Sequence, residues 1–308
     1  MTALITLEHA HGAMVLSPST GGAIASFDWK GVPVLRSTAR DVIEAGDVRR
    51  HACYPLVPYS NRIEHGRLTF GGKTHELALN FGDHPHAIHG VGWQRSWTVQ
   101  SATSTTALLS LEHRPGAADS DDARAWPWPF AATQWFQLSE AGPGAITLRM
   151  KLTISNIGKE TFPFGLGWHP FFPCEPLTRL AFTAGGVWET DATMIPTAHV
   201  PAQGLYSFDP GRAIGDAILD NIYTEWSGEA ELSDHTSSRI TTLRGDTTSP
   251  YFVVYIPPHH TFLAIEPVTQ MTDAFNRAER GERDTGTRLL AAGESFSSTM
   301  EIIARELS

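Results

Sequence analysis

Ala145-Ile146-Thr147-Leu148-Arg149-Met150-Lys151-Leu152-Thr153-Ile154 is the stretch that decides the fold class. Five apolar residues alternate with Thr147, Arg149, Lys151 and Thr153, and a period of two puts one set on each face of a half-buried strand. Tyr251 to Ile256 and Thr261 to Ile265 are apolar runs separated by Pro257-Pro258-His259-His260, a turn sequence that joins them as a hairpin. The same style recurs over Ala13 to Leu16, Ala23 to Trp29, Arg67 to Phe70, Trp97 to Gln100, Ala107 to Leu111, Trp135 to Leu138 and Phe296 to Ile303. Helical periodicity over three turns is nearly absent. With 27 glycines and 20 prolines punctuating 308 residues, the pattern predicts an all-β protein, a large antiparallel β-sandwich with few short helices, forming one domain over residues 1–308.

Composition narrows the function classes. Hydrophobic residues make up 41% of the chain and charged residues 18%, enough apolar material for a sizeable core. The formal net charge is −10, and no basic run is denser than Arg49-Arg50-His51, which argues against nucleic acid as a partner. No apolar run approaches the roughly 18 residues of a membrane span, and the first residues lack the pattern of a signal peptide, so a cytoplasmic protein with no membrane partner is expected. Cys53 and Cys174 fit neither a disulfide framework nor a zinc spacing and read as buried, reduced thiols. The polar stretch Arg114 to Pro129, with its Trp126-Pro127-Trp128-Pro129 end, reads as a long surface loop. Asn276 to Gly286, dense in charge, reads as a solvated one.

Four segments set polar groups among apolar or turn-forming neighbours: Pro58-Tyr59-Ser60-Asn61-Arg62-Ile63, Ala87-Ile88-His89-Gly90-Val91-Gly92-Trp93, Gly165-Leu166-Gly167-Trp168-His169-Pro170-Phe171-Phe172 and Leu263-Ala264-Ile265-Glu266-Pro267. Burying an ionisable group is costly, so each such position is either a fully hydrogen-bonded structural residue or part of a site. Taken singly, the structural reading is the commoner one. Together they offer a guanidinium and an amide that can bind vicinal hydroxyls, imidazoles that exchange protons near neutrality, and a carboxylate that can take one, a set suited to a sugar.

Asn-Arg-Ile after a proline-rich turn, His89-Gly90, Gly-x-x-x-His-Pro-Phe-Phe, and Ile265-Glu266-Pro267-Val268-Thr269 followed by Asp273-Ala274-Phe275-Asn276 together resemble the aldose 1-epimerase (galactose mutarotase) family over most of the chain. Gly90 to Trp97 and Gly167 to Pro173 look closer to a less characterised bacterial branch than to the galactose-specific enzymes. The resemblance implies a galactose mutarotase-like supersandwich and an isomerase of carbohydrate metabolism that needs no cofactor and no metal. It further implies Glu266 as the base at the anomeric O1 and His169 as the acid at the ring oxygen O5, with Asn61, Arg62, His89 and Asp220 binding sugar oxygens. Ordinary pKa values of about 4.3 and 6.5 already give such a carboxylate and imidazole useful protonation states, so only moderate tuning is expected. Ser60 departs from the residue that usually precedes Asn-Arg in the family. Trp93, Trp97 and Trp168 are read as core and left outside the site.

Rival readings are few. His84-Pro85-His86-Ala87-Ile88-His89 is similar to a cupin-type metal site, but no glutamate follows before Glu112 and Pro85 restricts the geometry. A glycosidase wants two flanking carboxylates, and Asp220 is a weak second. A hexose-6-phosphate 1-epimerase, with Arg62, Arg67 and Arg95 around the phosphate, and a non-catalytic carbohydrate-binding protein remain as alternatives. A monomer or homodimer acting on a small sugar is the expected state.

Overall fold

The computed structural model describes residues 4–116, 124–259 and 261–307. Two large antiparallel sheets dominate. The first has eleven strands. Ten follow in the order Ile5–His9, Gly12–Ser17, Ala23–Trp29, Cys53–Leu56, Gly167–Pro173, Phe262–Val268, Tyr251–Ile256, Leu219–Thr224, Gly186–Thr190 and Pro196–Pro201, and Val32–Leu35 pairs with Ala23–Trp29. The second has nine strands, in the order Thr98–Ala102, Thr106–His113, Phe130–Glu140, Ile146–Asn156, Ser295–Glu306, Arg239–Gly245, Glu229–Asp234, Arg179–Phe182 and Phe208–Ala213. Among the described residues the α-helices are Arg40–Ala45 and Ala274–Glu279, and no helix is long and apolar enough to cross a membrane.

The alternating stretch becomes the strand Ile146–Asn156, and Ile146, Leu148, Met150, Leu152 and Ile154 are each fully buried. Removing such a side chain from water is worth about 1.5–3 kcal/mol, which fixes the register because a one-residue slip would expose all five. Phe136 of the second sheet packs edge-on against Trp168 of the first, ring centroids 5.7 Å apart. The same apolar cluster runs through both sheets. Tyr251–Ile256 and Phe262–Val268 pair as the expected hairpin, while His260 of the intervening turn lies outside the described residues. The second strand runs on through Glu266 and Pro267 rather than ending at Ile265, which places the carboxylate inside the sheet.

Two sequence expectations are corrected. Asp119 to Asp122 of the expected surface loop lie outside the described residues, but its end is core: Trp126 is 0% exposed and sits between Tyr59, Phe162 and Phe275. The proline-locked Trp-Pro-Trp-Pro run carries more aromatic area than a surface loop can leave in water. The expected solvated loop at Asn276 to Gly286 begins instead inside the helix Ala274–Glu279, with Asn276 and Arg277 buried. Arg277 lies over the Trp188 ring, donates to the Pro196 carbonyl and pairs with Glu282 at 2.8 Å, so its charge is compensated within the fold. Cys53 and Cys174 are free and buried.

Candidate functional site

Strand register assembles the site. In the first sheet Gly167 pairs with Val268 and Phe171 with Ala264, so His169 stands opposite Glu266 on the neighbouring strand. His169 pairs on its other side with Tyr54, Glu266 with Val253, and Asp220 with Tyr255 two residues along from Val253. Because side chains two apart share a face, Tyr54, His169, Phe171, Glu266, Tyr255 and Asp220 all project from one side of the sheet's centre. The opposite parity of Trp168 turns it into the inter-sheet core.

Above this face sit two loops, locked to each other. Arg62–Ile63 pairs with Ala87–Ile88 in a short antiparallel ribbon. Beside it Asn61 and His89, at φ values of 58° and 62°, exchange contacts: the Asn61 N–H donates to His89 Nδ1 at 3.0 Å and the His89 N–H to the Asn61 carbonyl at 2.9 Å. Gly90 follows at φ 70°, where a Cβ would lie 2.5 Å from the Val57 carbonyl oxygen, so the close approach admits only glycine. Asn80 holds the loop by bonding the Ile88 N–H and the Ile88 and Gly90 carbonyls. The Asp-Ala-Phe-Asn motif has a positioning role. Asp273 donates its N–H to the Arg62 carbonyl and accepts from the Glu64 N–H, while Asn276 bonds Thr69 and Arg67.

The resulting cavity, of about 420 Å³, falls within the ~300–1,000 Å³ of small-molecule sites. The structure brings all six sequence-predicted residues to its lining: Asn61, Arg62, His89, His169, Asp220 and Glu266. It adds residues that sequence reasoning missed, among them Arg36, Tyr54, His84, Phe171, Met194 and Tyr255. Tyr54 and Tyr255 are legible in hindsight as same-face partners in the ladder; Arg36 and Met194 carried no local signal. Trp93, Trp97 and Trp168 are buried elsewhere. Arg67 and Arg95 do not line the cavity, which removes two of the three arginines considered for a phosphate pocket.

At the floor, His169 Nε2 lies 3.3 Å from Glu266 Oε1, with the two residues 8% and 3% exposed. Burial drives the imidazole down to about 3, and the Arg36 guanidinium adds to the fall. Burial pushes the Glu266 carboxyl well above its ordinary 4.5, with the Asp220 charge reinforcing the rise and Arg62 opposing it. The moderate tuning expected from the sequence is therefore replaced by two large shifts in opposite directions. Physically, a neutral pair sharing one proton costs less to bury than two isolated charges.

Around the pair, Arg62 Nη2 contacts Asp220 Oδ2 at 2.7 Å and Nη1 contacts Asn61 Oδ1 at 3.0 Å. Arg62 is thus held by a carboxylate and an amide. Burial, then the neighbouring His169, depress His89 well below 6.5. With Nδ1 accepting from the Asn61 backbone, neutral His89 carries its proton on Nε2 and is a hydrogen-bond donor there. The three clustered histidines do not converge: His86 Nδ1 accepts from the His65 N–H, His84 Nδ1 from the His86 N–H, and His89 from Asn61. The described residues contain no group of three or more His, Cys, Asp or Glu side chains arranged to hold a metal ion.

The family model described as aldose 1-epimerase matches residues 3–302. The uncharacterised Escherichia coli K12 protein YphB is 28% identical over 302 residues, covering 95% of this chain and 96% of its own. A crystal structure of an Escherichia coli K12 protein provisionally named an aldose 1-epimerase superposes with a TM-score of 0.85 at 25% identity, covering 99% of each chain. A galactose mutarotase-like protein from Clostridium acetobutylicum superposes with a TM-score of 0.83 at 19% identity, covering 98% of this chain and 95% of that one. The fold is that of the galactose mutarotase-like proteins.

Proposed function

The chain belongs to the aldose 1-epimerase family, and on that premise we propose that residues 1–308 act as a single domain that interconverts the α and β anomers of a free aldohexose. The observation that carries the reading is the His169–Glu266 pair, 3.3 Å apart across adjacent strands, in a cavity that Asn61, Arg62, His89 and Asp220 also line.

The chemistry needs one proton on the pair at every stage. Glu266 takes the proton from the O1 hydroxyl as C1=O1 forms, the C1–O5 bond breaks, and O5 takes a proton from His169 Nε2. Rotation about C1–C2 then presents the other face of the aldehyde. O5 attacks C1, returning its proton to His169, and O1 recovers one from Glu266. The enzyme begins and ends with the same proton count. In the empty site burial favours the neutral imidazole and the protonated carboxyl. A bound sugar favours the other arrangement, because an O1 hydroxyl donating to Glu266 stabilises the carboxylate and an O5 acceptor stabilises the protonated imidazole. The short Nε2–Oε1 separation lets the proton pass between them. Arg62, held against Asp220 and Asn61, and the Nε2–H of His89 supply donors to sugar oxygens.

The test is a comparison of mutarotation rates for freshly dissolved α-glucose, α-galactose and their 6-phosphates. Acceleration of a neutral hexose above a phosphosugar supports the proposal. Acceleration confined to the 6-phosphates replaces it with the phosphosugar reading, and no acceleration of any of them removes both.

A further inference from the structure

Arg36 follows the strand Val32–Leu35 and reaches the cavity from outside every motif the sequence singled out. Its backbone N–H donates to the Phe171 carbonyl at 2.8 Å. Its Nε and Nη2 donate to the His51 carbonyl, and Nη2 also to that of Arg49, which fixes the plane of the guanidinium. So held, the guanidinium lies over the Phe171 ring, 3.5 Å from its centroid. Phe171 in turn stacks on the His169 imidazole, centroids 4.3 Å apart and planes 22° from parallel. Guanidinium, phenyl and imidazole form one stack ending at the ring that faces Glu266.

From this arrangement we propose that Arg36 is a positioning residue acting through Phe171 on His169: it clamps the imidazole plane so that Nε2 faces Glu266, and its charge opposes the gain of a second positive charge on that imidazole. The proposal rests on the acid–base reading of His169 for its kinetic consequence but not for its physical content. The groups facing His169 are Glu266 from one neighbouring strand, Tyr54 from the other, and His89 and Arg62 from the loops above. The Tyr54 phenol is pushed well up by burial and stays neutral, as does the depressed His89. Arg62 is compensated by Asp220 at 2.7 Å. Among the described residues no carboxylate pairs with Arg36; nearby Asp47 contacts Arg49 instead, at 3.7 Å. Arg36 stays charged near neutrality although burial draws its guanidinium down to about 10. The two stacking distances bound its separation from the imidazole at under about 8 Å. A unit charge at that range, at an effective dielectric near 20, moves a titration by on the order of one pKa unit.

The experiment titrates His169 by NMR of ¹⁵N-histidine-labelled protein, with the resonance assigned by loss in His169→Asn, in the wild type, Arg36→Gln and Arg36→Lys. Arg36→Gln should raise the His169 titration by about one unit, and Arg36→Lys, which restores the charge, should hold it within a few tenths of the wild type. If the wild type accelerates mutarotation, the acid limb of kcat/KM should move upward with it in Arg36→Gln while KM near neutrality changes less than twofold. An unmoved His169 titration in folded Arg36→Gln overturns the proposal whether or not the protein is a mutarotase. So does a rise in KM with an unmoved acid limb, which is the mark of a direct sugar contact. Should Arg36→Gln not fold, Phe171→Leu decides: removal of the intervening ring should lower kcat at least tenfold with KM nearly unchanged, and an undiminished kcat overturns the proposal.

Discussion

Replacing Glu266 by glutamine should change how stability depends on pH, with a slope set by the buried pair. In the folded protein the carboxyl is pushed well above 4.5 and the imidazole down to about 3, so the pair holds one proton across the intervening range. The unfolded chain, titrating at the ordinary 4.5 and 6.5, holds two protons below 4.5, one between 4.5 and 6.5, and none above. Stability follows the difference in bound protons, about 1.4 kcal/mol per pH unit per proton. Above pH 4.5 the pair's contribution in the wild type is therefore level while both states hold one proton. It falls with pH wherever only the folded state binds a proton, and falls toward acid below 4.5, where the unfolded state binds more.

Glu266→Gln leaves only the depressed imidazole. Its folded form binds no proton above about 3 while the unfolded chain binds one below 6.5, so the variant gains stability with pH up to 6.5 and is then level. Subtracting wild type from variant cancels all other titrations and leaves a difference that climbs with pH above 4.5, by up to about 1.4 kcal/mol per unit, for as long as the folded carboxyl keeps its proton. Urea unfolding followed by tryptophan fluorescence at pH 5.0, 6.0, 7.0 and 8.0 measures it, with shifts of the unfolding midpoint read at constant m. Parallel stability curves for the two proteins would refute the account, because a carboxyl titrating at its ordinary value in both states adds no slope.

Asp220→Asn keeps the shape of the Arg62 clamp and removes its charge; losing a hydrogen bond to a charged group is worth about 1.5–3 kcal/mol, so KM should rise at least tenfold in a mutarotation assay while kcat falls less. Trp126→Ala should destabilise by about 3–5 kcal/mol in urea unfolding, against less than about 0.5 kcal/mol for a surface loop residue, with kcat nearly unchanged because Trp126 lies outside the cavity lining. Dialysis against a chelator, checked by metal analysis, should leave mutarotation unaltered, as expected from histidines committed to separate backbone partners.

The alternation from Ile146 to Ile154 made its strand legible, because period two and one buried face are local properties. The polar intrusions Asn61, Arg62, His89, His169 and Glu266 were legible as a set, but their convergence was not: it depends on a ladder register linking strands about a hundred residues apart. Arg36 and Tyr54 were invisible for the same reason, since each looks like ordinary strand or strand-end sequence and gains meaning only across the sheet. The misread segments share another cause. Trp126 and Arg277 sit among polar or proline-rich neighbours, and only tertiary partners, Tyr59 and Phe275 for the one and Trp188 and Glu282 for the other, turn them inward. The direction of the pKa shifts at His169 and Glu266 was likewise out of reach, being a product of burial depth and of the Arg36 and Asp220 charges.

Polarimetry of a freshly dissolved α-aldose with wild type, Glu266→Gln and His169→Asn, each shown folded by near-ultraviolet circular dichroism, measures whether the His169–Glu266 pair carries the ring opening. The wild type should hasten equilibration, and either substitution should lower the rate by about 10²–10⁴-fold, toward the spontaneous rate. Wild-type rates in either folded variant would contradict that role for the pair.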